Sequence, residues 1–281
     1  MINTNGRLFT FGCSMTQYNW PTWADIAGTK WKYFENWGEA GAGNHFIFNS
    51  MIECDIKNNF TSDDTVAIMW SSPARHDYFS GNRWGHAHQV FNTDNKIAPC
   101  PDGYCLTTFS YIYAIDQLLK NRGIPYIMAS WVDYTAIDSK FHLMYKNLLS
   151  TIHYISISQK THQVPNLSDI DQLMQTLYNG LSGPDWPSLE EIKKNQYSTT
   201  PAIQKEIEDF WKDLKKDKRV SITSTVTDKH PLPGEHLEIA KIIFPDLDLN
   251  DIKEWVQLLD IKLKNGEPVN FDKHLSERNY D

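Results

Sequence analysis

Phe9-Thr10-Phe11-Gly12-Cys13-Ser14-Met15-Thr16 carries the decisive pattern near the start of the 281-residue chain. Leu8 to Phe11 is a short apolar run ending in Gly12, as in a buried strand that feeds a tight turn. Strand-like runs follow at Trp31 to Trp37, Thr65 to Trp70 and Ile124 to Ser130, with a weaker one at Val220 to Thr225. Helical patterns lie between them at Asn44 to Lys57 and Tyr104 to Asn121, the second closed by Arg122-Gly123. Strand alternating with helix predicts an α/β fold with a parallel sheet covered on both faces.

From Tyr134 to Lys218 amphipathic stretches such as Leu167 to Leu181 and Pro201 to Leu214 replace the strand pattern. This reads as a helical insertion at about 134–218 within one α/β domain spanning 1–245, followed by a C-terminal helical extension and polar tail at 246–281. Hydrophobic residues at 41% and charged residues at 22% suffice for a full core. The 27 Lys and Arg against 35 Asp and Glu give a net charge of −8 at pH 7, which argues against a nucleic-acid partner. No apolar run reaches the ~18 residues a membrane span requires, and no signal peptide is evident, so a cytoplasmic protein is expected. Cys13, Cys54, Cys100 and Cys105 have irregular spacing and are expected mostly reduced. Cys100-Pro101-Asp102-Gly103-Tyr104-Cys105 reads as a hairpin flanked by small apolar residues, with a disulfide or shared metal as the lesser alternative.

An open parallel sheet binds its ligands at the carboxyl edge of the strands, where Gly12 and Ser14 fall. Glycine lets the chain turn sharply enough to expose the next hydroxyl. Ser14 is therefore either a nucleophile or a cap or turn residue. Gly-x-Ser-x-Thr is not the Gly-x-Ser-x-Gly elbow of α/β-hydrolases. A serine nucleophile needs a base, and the base an orienting carboxylate. Asp228-Lys229-His230-Pro231-Leu232-Pro233-Gly234-Glu235-His236 offers both in a loop stiffened by two prolines.

Together these segments resemble the SGNH (GDSL-type) hydrolase family. Gly12-Cys13-Ser14-Met15-Thr16 is similar to its first block, Asn36-Trp37-Gly38-Glu39-Ala40-Gly41-Ala42-Gly43-Asn44 to its second, and Asp228-x-His230-Pro231 with Gly234 and His236 to its last. The resemblance runs from about Leu8 to Pro245 outside the insertion, and implies a flavodoxin-like α/β/α sandwich. It implies Ser14 as nucleophile, His230 as base and Asp228 as orienting acid, with the amides of Ser14 and Gly41 in the oxyanion hole. Cys13 stands where the family usually has Asp. Asp228 lies two rather than three residues before the histidine, a spacing shared with acetyltransferase-like branches. The third strand ends Trp70-Ser71-Ser72-Pro73-Ala74-Arg75 without the family's oxyanion asparagine. Ser72 or Asn44 is expected to donate instead, with Arg75, Trp131, Asp133 and His236 contacting substrate.

The function expected is a serine esterase that removes short acyl groups, acetyl above all, from a small-molecule or glycan ester, with no metal and no organic cofactor. An O-acetyltransferase and a non-catalytic binding protein on an eroded scaffold are the alternatives. Trp20, Trp23, Trp84, Trp131 and Trp186 are either packing residues or sugar-stacking rings at the mouth of the site. His86-Ala87-His88 lacks further ligands at metal-site spacing and reads as a rim pair.

Overall fold

The computed structural model describes residues 3–80, 83–89, 100–137, 139–156, 162–164, 226–228 and 230–265, with 267, 269 and 271. In chain order the elements are β1 (Arg7–Gly12), α1 (Trp23–Gly28), β2 (Tyr33–Asn36), α2 (Asn44–Asn58), β3 (Thr65–Trp70), β4 (Arg75–Ser80), β5 (Arg83–Gln89), α3 (Pro101–Asn121), β6 (Tyr126–Ser130), α4 (His142–Leu149) and β7 (His153–Tyr154). They continue with β8 (His162–Val164), β9 (Val226–Asp228), α5 (Pro233–Ile243) and α6 (Lys253–Lys264).

Five strands form one parallel sheet in the order β2-β1-β3-β6-β7. Every residue of β3, and all of β1 except Arg7, is buried, which is why both read as unbroken apolar runs rather than alternating ones. Helix α1 packs with α5, while α2 packs with α3 and α3 with α4, so helices cover both faces of the sheet. This is the α/β/α sandwich that strand-helix alternation implied. The strand order reverses between β1 and β3, and it is at the carboxyl ends flanking such a switch point that open α/β sheets bind their ligands.

The strand at Thr65–Trp70 falls where periodicity put it; that at Leu8 gains a residue at each end, while those near Trp31 and Ile124 begin two residues later, the former also ending one residue sooner. Three features bear on the site. Trp23, read as either a packing or a sugar-stacking residue, opens the short buried helix α1 and packs in the core. Cys100 to Cys105 is no hairpin: Pro101 takes the first helical position, where its missing N–H costs nothing, and α3 begins there with both cysteines free. Arg75 to Gln89, which carried no assignment, is an antiparallel hairpin. Within the stretch read as a helical insertion, α4 is helical but β7 completes the main sheet. Leu167 to Leu181, Pro201 to Leu214, Val220 to Thr225 and Trp186 lie outside the described residues. No helix among the described residues is long and apolar enough to cross a membrane.

Candidate active site

The chain turns immediately after Gly12, closed by bonds from the Thr16 and Gln17 amides to the Cys13 carbonyl at 2.8 and 3.0 Å. A side chain at residue 12 would lie 2.0 Å from Thr16 Oγ1 and 3.0 Å from the Met69 carbonyl, so only glycine lets this turn sit against β3. Cys13 points into the core, and Ser14 is 5% exposed. The Ser14 hydroxyl has no hydrogen-bond partner among the described residues. Ser14 does not cap a helix. Thr22 precedes α1, and the Asp25 carboxylate accepts from the Thr22 amide at 2.8 Å and its hydroxyl at 2.9 Å.

The loop between β2 and α2 is stitched to the Ser14 turn. Asn36 Nδ2 donates to the Thr16 carbonyl at 2.8 Å, the Glu39 amide to the Gly12 carbonyl at 3.0 Å, and the Ala40 amide to Gln17 Oε1 at 3.2 Å. A turn from Glu39 to Ala42, closed at 3.1 Å, holds Gly41 at φ 86°, a conformation that costs other residues energy.

At the end of β3, Asn44 acts as a clip. Its Oδ1 accepts from the Ser71 amide at 2.8 Å, and its Nδ2 donates to the Ser71 carbonyl at 2.9 Å, with Thr108 Oγ1 at 3.2 Å and the Tyr134 hydroxyl at 3.3 Å. Its two amide hydrogens are thus already engaged. Tyr134 also donates to the Ser71 carbonyl, and burial raises its pKa above the ordinary phenol value. The Ser71 hydroxyl is buried without a partner, and Ser72 Oγ accepts from the Ala74 amide at 3.1 Å. Arg75 donates to the Ala42 carbonyl at 2.9 Å, and its guanidinium lies 5.4 Å from the Trp131 ring centre. Asp133 accepts from the Thr135 amide at 2.9 Å and so caps the turn that follows β6.

The last block reaches the same edge. The His230 ring stacks on Tyr18, with centroids 3.9 Å apart and planes at 25°, and the Pro231 carbonyl accepts from Trp20 Nε1 at 2.8 Å. Leu232 packs with Tyr18 and Trp20 behind this contact. His236, on the first turn of α5, is wholly buried, with neither ring nitrogen partnered, and presents nothing to a substrate in this conformation. Burial, with the neighbouring His230 adding to it, pushes its pKa down to about 3. The backbone of Asp228 pairs with that of His162 across β8 and β9. Trp20 and Trp23 are core residues.

The turn of Ser14, the turn of Gly41 and the loop of His230 are thus brought together, while the Asn44 amide is engaged by Ser71, Thr108 and Tyr134; Ser72 Oγ accepts from Ala74 and keeps its own proton to donate. Three residues that sequence reasoning did not assign stand out. Asp77 Oδ1 lies 2.7 Å from His86 Nδ1, and His86 Nε2 lies 3.0 Å from Glu39 Oε1. His86 is buried in β5, not on a rim loop. Its signal lay in the sequence, where Gly-Asn between two mixed runs is the kind of pair that favours a two-residue hairpin connection. Among the described residues no group of three His, Cys, Asp or Glu side chains is arranged to hold a metal.

No family model and no curated protein matches the chain. Among solved structures it is similar to an acylhydrolase from Bacteroides fragilis NCTC 9343, at 13% identity and a TM-score of 0.32, over 76% of this chain and 88% of that one. At that TM-score the likeness carries no argument about chemistry.

Proposed function

We propose that this chain is a serine ester hydrolase of SGNH type, with Ser14 as nucleophile and His230 as base. The observation that carries the reading is the docking of the His230 loop onto the Ser14 turn through Tyr18 and Trp20, above the switch point of the sheet. Ser14 Oγ attacks the ester carbonyl and passes its proton to a ring nitrogen of His230. The tetrahedral oxyanion is held by the amides of Ser14 and Gly41, and Asp228 steadies the imidazolium. His230 then protonates the departing alcohol, and water, activated by the same imidazole, releases the acid. In a substrate-free site the hydroxyl-imidazole bond is often not yet formed, which accommodates a Ser14 hydroxyl without a partner.

A sugar-borne acetyl ester is the substrate class that best suits the surroundings. Trp131, half-buried just after β6 with the Arg75 guanidinium over its ring, is the aromatic side chain a sugar would meet by displacing that guanidinium, since a sugar presents an apolar face to such a ring. The test is labelling with a fluorophosphonate probe, followed by hydrolysis of p-nitrophenyl esters of rising chain length beside acetylated xylan. Labelling of the Ser14 peptide and preference for acetate support the reading. An unlabelled protein overturns the esterase, and preference for chains of about eight carbons overturns the substrate class, because each buried methylene adds ~0.8 kcal/mol only where an apolar groove exists.

A further inference from the structure

The Asp77 side chain is fully buried, and its carboxylate accepts three bonds: from the Gly43 amide at 2.8 Å, from the Phe46 amide at 2.8 Å and from His86 Nδ1 at 2.7 Å. A carboxylate at the N-terminus of the 15-residue α2 also suits the helix dipole. The other nitrogen of His86 reaches Glu39, the first residue of the turn that holds Gly41. One imidazole therefore grips the turn at both ends, by Glu39 directly and by Gly43 through Asp77. Gly41 lies against it, since a Cβ added there would be 3.6 Å from His86 Cβ. Phe46 meets the ring edge-on at 5.1 Å.

Both partners of the imidazole are carboxylates, which accept only, so both nitrogens must carry protons. Burial alone would lower the pKa of His86, but the bonds to Asp77 and Glu39 outweigh it and hold the value up at about 9. Among the described residues, the other titratable or charged groups around the pair are His45 on α2, whose Nδ1 lies 3.5 Å from the Asp77 carbonyl, Tyr111 on α3, and Arg75 on β4, which binds the Ala42 carbonyl.

We propose that His86 is a positioning residue that, through Asp77 and Glu39, fixes the Gly41 turn as the oxyanion-binding loop facing Ser14. The role rests on the esterase reading and deepens it. His86 touches no reacting atom. It sets where the Gly41 amide stands, and oxyanion donors act in the transition state, so its loss falls on kcat rather than KM.

The experiment compares wild type, His86→Gln and Glu39→Gln by fluorophosphonate labelling, p-nitrophenyl acetate kinetics from pH 6 to 10, and hydrogen–deuterium exchange of the peptide spanning 38–46. Glu39 is 41% exposed, so its variant keeps a fold-neutral route open. Expected are a fall in kcat of at least tenfold in His86→Gln with KM within threefold, a smaller fall in Glu39→Gln, and faster exchange in both. Wild-type kcat, and the protection of the 38–46 amides relative to their intrinsic exchange rate at each pH, should fall together as pH passes about 9. Full kcat and unchanged exchange in both variants overturn the proposal. A wild type that does not label overturns the esterase reading instead. Exchange then decides whether His86 holds the turn, unchanged exchange refuting it and faster exchange sustaining it.

Discussion

The ring of His230 lies flat on that of Tyr18, 3.9 Å between centroids, and so joins the proline-stiffened loop before α5 to the segment that carries Ser14. Ser14 and Tyr18 share one loop, and His230 opens the segment leading into α5. The contact spans more than two hundred residues of sequence. It is the physical basis for treating the two ends as one site.

Ser14→Ala should abolish fluorophosphonate labelling and reduce ester hydrolysis by about 10³-fold or more. Its melting temperature should stay within a few degrees of wild type, because the hydroxyl bonds to nothing among the described residues and its removal orphans no partner. Undiminished turnover would show that Ser14 is not the nucleophile.

His230→Gln should cost about 10²–10⁴ in kcat, the range lost with a general base. His236→Gln should retain far more, since a wholly buried imidazole with a pKa near 3 can neither reach a substrate nor serve as a base at neutral pH. Steady-state kinetics of the two variants decide between them, and a greater loss at His236 would reverse the roles.

His236 also makes the fold acid-sensitive. Its folded pKa of about 3 lies below the unfolded value near 6.5, so between those pH values the unfolded chain holds a proton that the folded chain refuses. Stability is therefore full above pH about 6.5 and falls as pH drops toward 3, by up to about 1.4 kcal/mol per unit. Urea midpoints from pH 4 to 8 should show this slope, flattened in His236→Leu. An equal slope in both proteins would exclude His236 as its source.

Gly41→Ala should lose about 1–2 kcal/mol of stability, because φ 86° brings an added Cβ against its own backbone. It should also lose kcat, since relief of that strain moves the amide proposed to face the oxyanion. Calorimetry paired with acetate kinetics checks both, and a variant with unchanged kcat would remove Gly41 from the oxyanion hole.

The sheet was legible in the sequence because its signal is local. Leu8 to Phe11 and Val66 to Met69 are buried on both faces, so their strands are continuous apolar runs, and Gly12 marks the end of the first. The Ser14 turn and the His230 loop were legible for the same reason, since glycine and proline state their backbone needs residue by residue. Partners were not legible, because a polar side chain does not announce what it will meet. Asn44 has the pattern of an oxyanion donor but is consumed in clipping α2 to Ser71. His86 and His236 are the same residue type, yet hairpin register sets one between two carboxylates while helix packing seals the other from every partner, driving their pKa values to about 9 and about 3. Local pattern chose the strands, the turns and the residue types at the sheet edge. Only the folded chain, by bringing distant segments into contact and excluding water between them, decided which of those side chains are charged, which are clamped and which remain free to react.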